Sequence, residues 1–194
     1  MGLEKNQGKL IFVNIKEGKL YTKPKDGEIQ LFDKLSGTIT KVEFAEDEYQ
    51  GNKYEKAKFL MVDGDDKFLF QVRTDSGYFR GLCNKLKTGD PTKPLKISAS
   101  YKVENDKPQT TCFVEQNGKS LKHAFTKDNP GDFPQLEKIS FKENDMWDGT
   151  KQIQYWKDWL LSIKFDHEAI AGTPTSFDEA KPEDITEPLS DLPF

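Results

Sequence analysis

The side chains with most chemical reach in this chain are carboxylates, lysines and tyrosines, and no grouping of them reads as a catalytic constellation. Asp63-Gly64-Asp65-Asp66 gathers carboxylates as a hard cation would need, but the later Glu of a calcium loop is missing, and a hairpin turn explains the cluster. Glu43, Glu46, Asp47 and Glu48 form an acidic patch before Tyr49, without the His, Lys or spacing of a nuclease metal site. His123 and His167 have no ligand-spaced neighbours, and two cysteines, Cys83 and Cys112, read as buried reduced thiols. There is no phosphate loop, nucleophile elbow or His-Glu-x-x-His motif. The expectation is a non-enzyme with no catalytic residues, no metal and no cofactor; a magnesium-dependent nuclease using Asp63 or Asp65 is the enzymatic alternative.

Binding chemistry is better represented. A single nucleic-acid strand is held by cations that follow its phosphates and by aromatic faces on which bases stack. Tyr49, Lys53, Tyr54, Lys56 and Lys58 crowd one polar loop and the strand after it, and Lys67 and Arg73 lie on the outer face of the next strand. Lys102 and Lys107 flank a later turn. Each lysine alone reads as a solvated side chain; the expectation of an interface rests on the group.

These residues must be positioned by strands. Leu10 to Ile15 and Lys19 to Thr22 read as a hairpin turning at Glu17-Gly18. Strands are expected over Leu35 to Phe44 (with Gly37 a bend or bulge) and Lys53 to Val62, separated by a polar loop from Ala45 to Asn52. Lys67 to Arg73 alternates, with Phe68, Phe70 and Val72 on one face. The period then changes: Phe79, Leu82, Cys83 and Leu86 mark an amphipathic helix capped by Asp75 or Ser76, with Arg80, Asn84, Lys85 and Lys87 on its polar side. Leu95 to Val103 and Gln109 to Gln116 return to strand, and Asn117-Gly118 turns into one more strand reaching Phe125.

Three strands, a short helix and two strands is the element order of an OB-fold. The fold expected is mainly β: a five-stranded OB-fold barrel with a helix between strands 3 and 4, an extra N-terminal hairpin and a C-terminal helix. After a linker at Asn129 to Pro134, Ile153, Trp156, Leu160 and Ile163 place that last helix at about 150 to 164, its aromatic face packed on the barrel.

The net charge of −4 conceals a division. Residues 166–194 carry eight acids and one base, a net of −7, leaving 28 bases and 25 acids, a net of +3, in the rest. The tail has no periodicity and several prolines, a composition that buries too little surface to offset its ordering entropy. Two units are therefore expected: residues 1–165 as the binding domain and 166–194 as an acidic, flexible tail.

The chain closes on Ser190-Asp191-Leu192-Pro193-Phe194 behind an acidic, proline-containing stretch. That ending resembles the tip of bacterial and phage single-stranded DNA-binding proteins, in a divergent phage-type form. The resemblance implies an OB-fold that coats single-stranded DNA during replication, recombination and repair. It also implies a tip, here Asp191, Leu192, Pro193 and Phe194, that docks on partner proteins of those processes. The acids are dispersed rather than consecutive, and the barrel carries no alignable motif, so no DNA-contacting residue transfers from the family. An RNA-binding OB-fold protein and a protein-interaction module that binds no nucleic acid remain alternatives, and self-association stays open. No apolar run approaches the roughly 18 to 20 residues of a membrane span, and residues 1–6 have no signal-peptide core. The expected compartment is the cytoplasm of a bacterium or a phage-infected host.

Overall fold

The computed structural model describes residues 10–24, 27–141 and 144–165. In chain order these form β1 (Leu10–Lys16), β2 (Lys19–Thr22), β3 (Gln30–Phe32), β4 (Leu35–Tyr49), β5 (Asn52–Asp63), β6 (Asp66–Arg73) and α1 (Gly77–Leu86). There follow β7 (Leu95–Glu104), β8 (Lys107–Gln116), β9 (Lys119–Ser120), β10 (Glu137–Phe141), β11 (Asn144–Asp148) and α2 (Thr150–Ser162). Nine strands make one large mixed sheet in the order β3-β2-β1-β6-β5-β4-β7-β8-β9, and β10 and β11 pair separately. The described residues are thus mainly β with two helices. No helix among the described residues is long and apolar enough to cross a membrane.

Local chemistry accounts for most of the elements. Asn117 and Gly118 both have positive φ, the backbone that a two-residue hairpin turn demands. Asp63 lies directly opposite Asp66 across the Gly64-Asp65 turn, so the carboxylate cluster is a hairpin end. Ser76 caps α1 by accepting from the Phe79 N–H at 3.2 Å, leaving Asp75 free for another role. Phe79, Leu82, Cys83 and Leu86 are all buried, as their helical spacing requires.

In place of the five-stranded OB-fold barrel expected from the element order, the strands form one large open mixed sheet. β4 pairs antiparallel with both β5 and β7, and β7 with β8, but the outer edge of β6 is taken by β1. β1 runs parallel to β6 in the register Leu10–Lys67 to Val13–Phe70. With β1 on the Lys67–Phe70 stretch of that edge, β8 does not pair with β6 and the sheet stays open.

Other expectations need correction. The polar segment 45–52 is not a loop: β4 and β5 continue through it, pairing Ala45 with Lys56 and Tyr49 with Asn52. Antiparallel ladders tolerate charged residues when both faces reach water. The strand expected over 119–125 is only Lys119–Ser120, and the hairpin β10–β11 was not expected. Lys85 is not on the polar side of α1 but 6% exposed, its ammonium donating to Cys112 O at 2.6 Å and lying 4.5 Å from the Phe113 ring centroid. Desolvation lowers its pKa, opposed by the nearby Cys112.

The core lies between the inner sheet face and the helices, built around Phe59, Phe70, Phe79, Leu82, Ile97 and Val114. Trp156 of α2 is fully buried in it, with its ring centroid 5.0 Å from that of Phe133 and 5.8 Å from that of Phe125. The aromatic face of α2 is therefore a packing face. Cys83 and Cys112 are free buried thiols, with Cys112 pushed up to about 12 by desolvation.

The β1–β2 turn docks on β7. Gly18 has φ +76°, and a Cβ there would lie 2.3 Å from the Tyr101 amide nitrogen, whereas Gly51 has φ +79° with nothing within 4 Å. Both glycines need the left-handed backbone, which costs other residues about 1–2 kcal/mol. Gly51→Ala should lose only that amount in urea unfolding. Gly18→Ala should lose measurably more; equal losses would mean that the turn does not press on β7.

Candidate nucleic-acid interface

The cross-strand registers of β4, β5 and β6 assemble the outer face of the sheet in rows. Asp47 lies opposite Tyr54; Ala45, Lys56 and Arg73 form the next row; Glu43, Lys58 and Gln71 the third. Further along, Lys41, Leu60, Leu69 and Phe12 share a row, followed by Thr38, Val62, Lys67 and Leu10. Side chains alternate along a strand, so Ala57, Phe59 and Met61 between these positions enter the core. One end of the face is aromatic and charged; the other is apolar, with Leu60 and Leu69 buried beside Leu10 and Phe12.

At the charged end, Tyr54 is the centre. The Arg73 guanidinium carbon lies 5.1 Å from its ring centroid and the Lys56 ammonium 5.3 Å away. These distances bring a cation–π attraction to an aromatic face, and a base stacked there would share it. Burial raises the Tyr54 phenol pKa, with the Asp47 carboxylate adding to the rise and Lys56 opposing it. Both cations also have carboxylate partners. Lys56 pairs with Asp47 at 2.8 Å, and Arg73 makes a two-pronged pair with Asp75, Nε to Oδ1 at 3.0 Å and Nη2 to Oδ2 at 2.5 Å. In the next row Glu43 pairs with Lys41, and no ion pair joins Lys58 to a described residue.

The residues singled out in the sequence thus divide. Tyr54, Lys56, Lys58 and Arg73 are brought together on one face, and Lys67 shares that face three rows beyond Arg73 at its apolar end. Tyr49 and Lys53 sit at the β4–β5 hairpin tip, Tyr49 accepting from Gln50 Nε2 at 3.2 Å and Lys53 opposite Glu48. Lys102 and Lys107 lie on the exposed β7–β8 hairpin, where Lys102 pairs with Glu104 at 2.7 Å. Asp191, Leu192, Pro193 and Phe194 fall outside the described residues.

Gln71, placed by period two on the outward face beside Lys58, is only 7% exposed, and sequence reading missed the neutralising role of Asp75. It also missed Trp147 of β11, which is 64% exposed opposite Lys138. No group of His, Cys, Asp and Glu among the described residues could hold a metal ion. Compared with models of protein families, with curated proteins and with solved structures, the chain matches none of them.

The Asp47–Lys56 pair makes a direct pH prediction. Burial pushes the Asp47 carboxyl up, but the Lys56 hydrogen bond and charge outweigh it and hold the pKa below its ordinary 3.8. A carboxyl depressed on folding adds stability above its unfolded pKa, and that stability is lost as pH falls through the lower folded value. NMR titration should find Asp47 below 3.8 in the wild type. In Lys56→Ala it should rise, because burial then acts without its largest opponent; an unmoved Asp47 would show that the pair does not form.

Proposed function

We propose that this protein binds single-stranded DNA, largely without sequence preference, on the outer face of β5 and β6, and has no enzymatic activity. The observation that carries the reading is the Tyr54 ring flanked by Lys56 and Arg73, with Lys58 and Gln71 in the adjacent row. A π-face beside several phosphate-seeking cations is what a sequence-tolerant strand requires, since every base can stack.

We read β4, β5, β6, α1, β7 and β8 as an OB-fold derivative whose third strand is closed off by β1. In OB-folds the face of the second and third strands binds oligonucleotides, together with the loops joining strands one to two and four to five. Here those loops correspond to the β4–β5 and β7–β8 hairpins, which carry Tyr49, Lys53, Lys102 and Lys107. The acidic residues 166–194 serve as a recruiting tail, the Asp191–Phe194 tip offering an apolar Pro-Phe end and acids to a partner's basic-rimmed pocket. The proposed setting is DNA replication, recombination and repair in a bacterial or phage-infected cytoplasm.

The ion pairs set how binding works. Phosphates must displace Asp47 and Asp75 from Lys56 and Arg73, so those acids moderate affinity. Labelled single-stranded DNA, duplex DNA and single-stranded RNA, titrated at several salt concentrations with the full chain and a truncation after Ala171, test the proposal. Single-stranded DNA should bind best, with affinity falling as salt rises, and the truncation should still bind. Tyr54→Ala should cost about 1–3 kcal/mol of stacking, and Asp47→Asn should tighten binding by releasing Lys56. RNA preferred over DNA would favour an RNA-binding role; no salt-dependent binding of any strand would leave a protein-interaction module.

A further inference from the structure

A cavity of about 270 Å³ opens where α1, β8 and α2 meet, sharing no residue with the outer face of β5 and β6. Arg80 and Asn84 line it from α1, Thr110 and Thr111 from β8, His123 from the segment after β9, and Phe133, Gln152 and Trp156 close it. Gly77 and Gly81 also line it; a Cβ on Gly77 would lie 2.3 Å from Thr110 Oγ1, whereas one on Gly81 would meet nothing closer than 3.6 Å.

No carboxylate lines the cavity, although acids outnumber bases in the chain. Arg80 is exposed and has no ion pair with any described residue. Burial lowers the pKa of His123, and the nearby Lys85 ammonium lowers it further, so both disfavour a charged imidazole here. Asn84 is committed, donating to Phe125 O at 2.9 Å and accepting from the Phe125 N–H at 2.8 Å. Gln152 donates to Pro134 O at 2.8 Å, which leaves its amide oxygen as an acceptor. The buried indole N–H of Trp156 has no acceptor among the described residues, an unmet donor in the apolar wall.

We propose that this cavity binds a nucleoside monophosphate unit, with the phosphate on Arg80 and the planar ring against the half-buried Phe133. A guanidinium without a competing acid favours a dianionic oxygen cluster over a neutral ligand, because it can donate two parallel hydrogen bonds. The volume lies just under the roughly 300 Å³ lower end of ligand pockets, which suits one nucleotide unit and excludes a stretch of strand. The choice of a nucleotide among planar anions rests on the single-strand reading; the anion site itself does not. Either a free mononucleotide or the 5′-phosphorylated end of a strand supplies this chemistry.

The test is calorimetric titration of the full chain with deoxythymidine monophosphate, deoxythymidine and inorganic phosphate. Short oligothymidylates with and without a 5′-phosphate are measured in parallel. The monophosphate should bind saturably and at least ten-fold more tightly than thymidine or phosphate alone. Arg80→Gln, an exposed substitution that should leave the unfolding midpoint unchanged, should weaken monophosphate binding ten-fold or more, while Lys58→Ala should leave it as it is. A 5′-phosphate that strengthens oligonucleotide binding in the wild type but not in Arg80→Gln would identify the strand end as the source. A preference confined to the free monophosphate would identify the mononucleotide. No saturable binding, equal affinity for thymidine, or an unaffected Arg80→Gln would overturn the site. Salt-dependent oligonucleotide binding persisting beside such a failure would leave the outer-face reading intact, and its absence beside intact monophosphate binding would overturn only that reading.

Discussion

The free edge of β6 must find a partner for its backbone N–H and C=O groups, and the way it does so shapes the rest of the sheet. In a closed barrel the final strand would supply them. Here β1 does, lying parallel over Leu10 to Val13. With β1 in place, β2 and β3 extend the sheet beyond it, and the Gly18 turn comes to rest on β7. β8 is then left without β6, and α1 packs on it closely enough for the Lys85 ammonium to reach Cys112 O. The cavity lined by Arg80 and His123 opens beside β8, where α1 and α2 approach it.

The outer face shows a second balance, between cations that could hold phosphates and carboxylates that already hold them. Lys56 and Arg73 are kept in place beside Tyr54 by Asp47 and Asp75. These pairs are partly exposed, so they contribute little to folding stability and exchange readily. Their value to a binding face is geometric: long side chains are held near the ring before a ligand arrives, reducing the entropy lost on binding. The same pairs limit adhesion of anions at Lys56 and Arg73, because a phosphate there must first compete with a carboxylate.

Much of this was legible in the sequence wherever a local period or turn determines the outcome. Phe70 and Val72 went to the core as alternation requires, Phe79, Leu82, Cys83 and Leu86 as helical spacing requires, and Trp156 as the aromatic stripe of α2 requires. The grouping of Tyr54, Lys56, Lys58 and Arg73 followed from period two and one short turn. What escaped depends on contacts distant in sequence. The parallel pairing of β1 with β6 has no local signature. The long β4–β5 arms carry acid-rich residues that resemble a loop, because a strand wetted on both faces has no hydrophobic alternation to display. Lys85 is buried because its ammonium finds a carbonyl on β8, and nothing in the helical period could foretell that. The Arg80 cavity draws residues from 77 to 156 and could be seen only after folding.

The central claim is that a single strand lies on the outer face of β5 and β6, over Tyr54, Lys56, Lys58 and Arg73. A residue-resolved NMR footprint with a short oligothymidylate lacking terminal phosphates tests it most directly. The account predicts the largest shift changes at Tyr54, Lys56, Lys58, Gln71 and Arg73, extending to the β4–β5 and β7–β8 hairpins. Changes confined to α1 and α2, or an unperturbed Tyr54 in a saturated complex, would contradict it.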